Sequence, residues 1–190
     1  MFKPQMKFQK IMSIALLILA ALTFFYSIGI ATDIYPLHLA EALESVDGYQ
    51  FFTEIQPYNK QEVIFSIVVV VASLTPFIFA SNTRRKYYWD NYLGFGIQGG
   101  VFIAYSIFTI IETTIYKNRF LTEVDVEGYK AWCEKKGHFN SGTTIWFDLG
   151  YVFAALCLIA VGIIVFNIIW KIKLEKAEKA LLAGGSNDGK

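Results

Sequence analysis

Apolar positions along this chain fall into four long runs that polar residues bound but hardly enter: 11–32, 63–83, 92–116 and 145–170. Stretches such as Ile64 to Ala72 and Ala154 to Val165 lack the polar stripe, repeating every three or four residues, that a helix of a soluble bundle turns to water. At 1.5 Å per residue, about 20 residues cross the roughly 30 Å hydrocarbon layer of a bilayer. The pattern predicts an all-α membrane protein with four transmembrane helices, a single integral membrane domain over 1–190. The first run follows a basic stretch, as in a secretory signal, but it is too long for an ordinary signal core and is expected to stay as a helix.

Short phrases recur at an offset of about 80 residues. Thr32, Ile34 and Tyr35 return as Thr113, Ile115 and Tyr116, and Val46-Asp47-Gly48-Tyr49 returns as Val126-Glu127-Gly128-Tyr129. Phe52 returns as Trp132, and Tyr58-Asn59 as Phe139-Asn140. The expected architecture is therefore an up-down-up-down four-helix bundle built from two parallel two-span repeats, at about 11–83 and 92–172, with short outer helices. Outer loops would occupy 33–62 and 117–144, and the Val-acid-Gly-Tyr phrases would make equivalent turns in them. Residues 37–43 and 120–136 favour the short helices, and together the loops would form one outer cap.

Charge placement adds an orientation. Lys3, Lys7 and Lys10 precede the first run, Arg84, Arg85 and Lys86 follow the second, and Lys171, Lys173, Lys176 and Lys179 follow the fourth. The first outer loop sets Lys60 against Asp33, Glu41, Glu44, Asp47, Glu54 and Glu62. This bias predicts cytoplasmic N- and C-termini, although Lys117, Arg119, Lys130, Lys135 and Lys136 make the second loop a weaker fit. The tail at 171–190 would continue the last helix, supported by Glu175 four residues before Lys179. Hydrophobic residues make up 55% and charged residues only 17%, which also sets the chain apart from an ordinary soluble domain. Cys133 lies in a loop and Cys157 deep in a run, so no disulfide framework is expected, and a bacterial plasma membrane is the natural setting.

Chemistry-bearing residues are sparse. His38 and His138 lack metal-ligand spacing, Cys133 lacks a C-x-x-C partner, and no phosphate loop or nucleophile elbow occurs, so no catalytic, cofactor or metal residues are assigned. Ionisable groups at membrane depth carry more weight, because lipid opposes charge. Glu112 and Asp148 lie about one turn inside their runs, and Asp33 and Glu62 end theirs, so four carboxylates could ring the outer mouth as a cation or proton site. Gln98, Ser106 and Thr109 are the polar candidates deeper in. Tyr49, Phe52, Tyr129 and Trp132 are candidates for an outer interaction surface. Gly96 and Gly100, spaced four apart, allow close helix packing against another span of the chain, and Pro76 should bend the second helix.

In general plan, and in phrases such as Glu54-Ile55-Gln56-Pro57-Tyr58-Asn59, the chain resembles small four-span proteins of Gram-positive-type bacteria. The resemblance associates it with solute-importer systems and carries no activity. Function is expected to be that of a non-catalytic accessory or scaffold subunit of a bacterial envelope or transport complex. Its partners would be the lipid bilayer and other membrane or envelope proteins, with homo-oligomers allowed and nucleic acid excluded. The alternative is a small oligomeric transporter or channel using Glu112 and Asp148.

Overall fold

The computed structural model describes residues 2–34, 46–81, 89–136 and 142–184. His38, His138, the basic link Arg84-Arg85-Lys86, the short helix expected at 37–43, and Tyr35, Phe139 and Asn140 of the recurring phrases lie outside the described residues. The chain is all-helical over the described residues: α1 (Lys3–Asp33), α2 (Gln50–Glu54), α3 (Gln56–Ser81), α4 (Trp89–Glu123), α5 (Val126–Lys136) and α6 (Ile145–Gly184). Four of them, α1, α3, α4 and α6, are long and apolar enough to cross a membrane, with mean hydropathies of 2.4, 1.9, 1.6 and 2.9. By the rise of an α-helix, α1 spans about 46 Å and α6 about 60 Å, so both project beyond a hydrocarbon layer.

The long helices form a ring, α1 against α3, α3 against α4, α4 against α6 and α6 against α1. Their outward faces carry large apolar side chains that water would not tolerate in such density, among them Phe25, Ile64, Val71, Ile107, Ile159 and Phe166. Inside, two apolar clusters lie at different heights. One holds Met12, Leu16, Val69, Phe95, Phe102, Cys157 and Ile164. The other gathers Ile30, Ile34, Val46, Phe51, Phe52, Phe120, Tyr129 and Phe147 at the capped end.

Helix ends explain how the cap is joined on. The C-terminus of α1 leaves carbonyls without helical partners, and Gln56 and Asn59 at the start of α3 donate to the Ile34 carbonyl at 2.8 and 3.1 Å. The segment 46–49 turns sharply at Gly48, whose φ of 82° suits glycine. A side chain there would also strike the Glu123 carbonyl, 2.0 Å from an added Cβ. The Asp125 amide then donates to the Asp47 carbonyl at 3.0 Å, so the two outer segments are joined through backbone. The second Val-acid-Gly-Tyr phrase does not repeat this turn. It opens α5, where the Gly128 amide donates to the Asp125 carboxylate at 3.1 Å, because an aspartate at that point caps a helix.

Pro76 sits within α3 and the helix continues past it to Ser81. Gly94 of α4 faces it, with an added Cβ 3.8 Å from the proline ring, so the close approach of α3 and α4 uses Gly94. Gly96 and Gly100 do not serve the packing expected of them. Both turn outward into open space, since the α4 face that meets α3 and α6 carries Gln98, Phe102 and Tyr105 instead. At the other end of the ring Gln5 donates to Asn167 at 2.9 Å, and the Lys171 ammonium lies 4.4 Å from the centre of the Tyr92 ring.

Candidate functional site

Polar residues at a spacing of four mark one face of α3, Tyr58, Glu62 and Ser66, and one face of α4, Tyr105, Thr109 and Thr113. The ring turns these stripes toward each other. Tyr105 Oη donates to Glu62 Oε1 at 2.5 Å, and Thr109 Oγ1 lies 3.3 and 3.2 Å from the two carboxylate oxygens. One turn toward the cap, Tyr58 Oη meets Thr113 Oγ1 at 3.0 Å, and one turn the other way Ser66 Oγ meets Ser27 Oγ of α1 at 2.7 Å. Ser106 Oγ reaches the Ala154 carbonyl of α6 at 3.0 Å. A layer of hydroxyls from α1, α3 and α4, met on the α6 side by the Ala154 carbonyl, thus lies between the two apolar clusters, with a single carboxylate in it among the described residues.

Glu62 is fully buried, as are Ser27, Ser66, Tyr105, Thr109 and Thr113. Among the described residues no lysine or arginine pairs with Glu62. Tyr26, 4% exposed, brings a further hydroxyl, held beside Tyr58 and Thr113 where Gly150 leaves room. An added Cβ at Gly150 would lie 2.6 Å from Tyr26 Oη and 2.9 Å from Thr113 Oγ1. The buried Cys157 lies on the α6 side of the same layer.

The four carboxylates expected to ring the outer mouth are dispersed. Only Glu62 points inward. Asp148 stands on the exposed flank, paired with Lys117 at 2.5 Å and accepting from Thr144 Oγ1 at 2.8 Å. Asp33 accepts from Trp146 Nε1, and Glu112 is half-buried on the flank of α4 near Tyr116. Helix phase accounts for this. Glu112 precedes the inward Thr113 by one residue, a rotation of about 100°. Among the described residues no group of three His, Cys, Asp or Glu could hold a metal ion.

The outer surface needs a correction too. Phe52 and Tyr129 are buried and pack on each other with ring centres 4.8 Å apart, because the two outer segments bury their aromatic faces together. Tyr49 remains exposed and Trp132 partly so, stacked on Tyr129 at 6.4 Å. Around this core Arg119 clasps Glu123 at 2.8 Å and also bonds Glu54, linking α4 to α2. Cys133 is buried beside Tyr129, and burial pushes its thiol and the Tyr129 hydroxyl up, so neither is primed as a nucleophile.

In the sequence Glu62 stands at the end of a run, and nothing local to Tyr58, Ser66 or Tyr105 marks them as its neighbours. The signal was present as the two matching stripes at a spacing of four, which only gain meaning when α3 and α4 are set side by side. Compared with known proteins, the chain matches no family model, no curated protein and no solved structure.

Proposed function

We propose that this chain is a non-catalytic, multi-pass subunit of a bacterial plasma membrane, acting through its outer cap and bundle surface within a larger envelope or transport complex. Its four membrane-length helices alternate in direction as two two-span units, with both termini in the cytoplasm. The tail-to-head joining of α1 and α3 through Ile34, Gln56 and Asn59 supports that order. The observation that carries the functional reading is the cap itself. Its two segments are locked by the Asp47–Asp125 backbone bond and a shared aromatic core, a rigidity suited to presenting Tyr49 and Trp132 to a partner.

Photocrosslinking in cells tests this. A photoreactive phenylalanine in place of Tyr49 should give a discrete protein adduct, whereas the same group at the lipid-facing Ile64 should give none. Equal adduct patterns at both positions, or none at Tyr49 and Trp132, would remove the contact function.

A second reading, a small oligomeric transporter or channel, draws on one observation, the buried carboxylate of Glu62. Asp148 is engaged by Lys117 on the flank, so such a role falls to Glu62 rather than to Glu112 and Asp148. Cation flux in liposomes that Glu62→Gln abolishes would favour it over the first.

A further inference from the structure

We propose that Glu62 is an ion-exchange site, where a single positive charge, a proton or a sodium-sized monovalent cation, is taken up and released within the closed hydroxyl layer. The inference stands independently of the contact function above. An uncompensated carboxylate at membrane depth is opposed by the low dielectric of lipid, so the group calls for a positive partner. Among the described residues none is paired with it. Lys171, the buried lysine, stacks over Tyr92 at the opposite end of the ring.

The titratable groups that face the layer are Tyr26 from α1, Tyr58 from α3 itself, Tyr105 from α4 and Cys157 from α6, with Glu112 further toward the cap. All are acids, so none can balance the charge. One carboxylate matches one elementary charge, and with no second carboxylate in the layer among the described residues a divalent ion would stay overcharged. The groups bonded to the carboxylate, Tyr105 and Thr109, offer hard oxygen, the type that alkali and alkaline-earth cations prefer over nitrogen or sulfur.

The hydroxyls suit both states. Tyr105 and Thr109 can donate to the ionised carboxylate, and both hydroxyls keep lone pairs for a proton or a cation when one arrives. The buried hydroxyl of Tyr26, close to Tyr58 and Thr113, is a further oxygen available to the layer. The apolar clusters above and below keep bulk water from serving instead.

Infrared difference spectroscopy on the full chain in phosphatidylcholine liposomes tests the site. Samples titrated in pH, in choline and then in sodium chloride, should interconvert a carboxylic C=O band with carboxylate bands. Glu62→Gln should delete that signal, and Tyr105→Phe, which keeps the acid and removes its donor, should shift its frequency and midpoint. If sodium and proton exchange one for one, each tenfold rise in sodium should lower the midpoint by about one pH unit. A midpoint indifferent to sodium identifies the proton as the occupant. Difference spectra that are the same in the parent chain, Glu62→Gln and Tyr105→Phe would overturn the proposal, as would a Glu62 band that never interconverts under any of these conditions.

Discussion

Removing the Phe52 ring should damage the cap far more than removing the neighbouring Tyr49 ring. Phe52 has no exposed surface, and its ring centre lies 4.8 Å from that of Tyr129 and 5.5 Å from that of Phe51. Large-to-small changes of a fully buried phenylalanine lose the transfer free energy and leave a cavity, about 3–5 kcal/mol together. Tyr49 is 36% exposed and outside that core, so Tyr49→Ala should stay within about 0.5 kcal/mol. Denaturant titration of each variant in detergent, followed by tryptophan fluorescence, reads the cap directly because Trp132 and Trp146 pack on the cluster. The double variant Phe52→Ala/Tyr129→Ala should cost less than the sum of the single ones, since the two rings share one contact. Equal losses for Phe52→Ala and Tyr49→Ala would mean that the two outer segments do not share a core, and the rigid cap would have to be abandoned.

Further outcomes follow from the same geometry. Gly150→Ala should destabilise by about 1–3 kcal/mol through overpacking against Tyr26 and Thr113, while Gly100→Ala, facing open space, should leave the thermal midpoint nearly unchanged. A maleimide should label Cys133 slowly in the folded protein, faster as pH rises and fully on denaturation, because burial disfavours its thiolate; rapid labelling at neutral pH would contradict that burial. Arg119→Gln should cost no more than about 1 kcal/mol and less at high salt, since Arg119, Glu54 and Glu123 are partly exposed; thermal melts at two ionic strengths check both points.

The membrane-length helices were legible because an apolar run of sufficient length has few other uses, and α1, α3, α4 and α6 fall on the four runs. Each extends beyond its run at one end or both, since polar residues such as Gln5 and Gln56 stay helical once a neighbouring element accepts their hydrogen bonds. What periodicity within one helix could not tell was helix phase against a neighbour. Glu62 and Glu112 look alike as acids near an outer boundary, yet one turns into the ring and the other to its flank. Gly96 and Gly100 failed for the same reason: their spacing shows that they share a face, not which face. Phe52 and Tyr129 were legible as aromatics of the two outer segments, but whether such aromatics meet each other or a partner depends on the fold of both segments.

Chain order gives the hydroxyl layer a last implication. Glu62 belongs to α3, while Tyr105 and Thr109, which hold it, belong to α4, made some 40 residues later. During synthesis the first helical pair therefore enters the bilayer with its acid unclasped, and remains so until the following segment emerges. Biogenesis is thereby tied to the arrival of α4, and a chain truncated after Ser81 should be held back at insertion or degraded rather than accumulate.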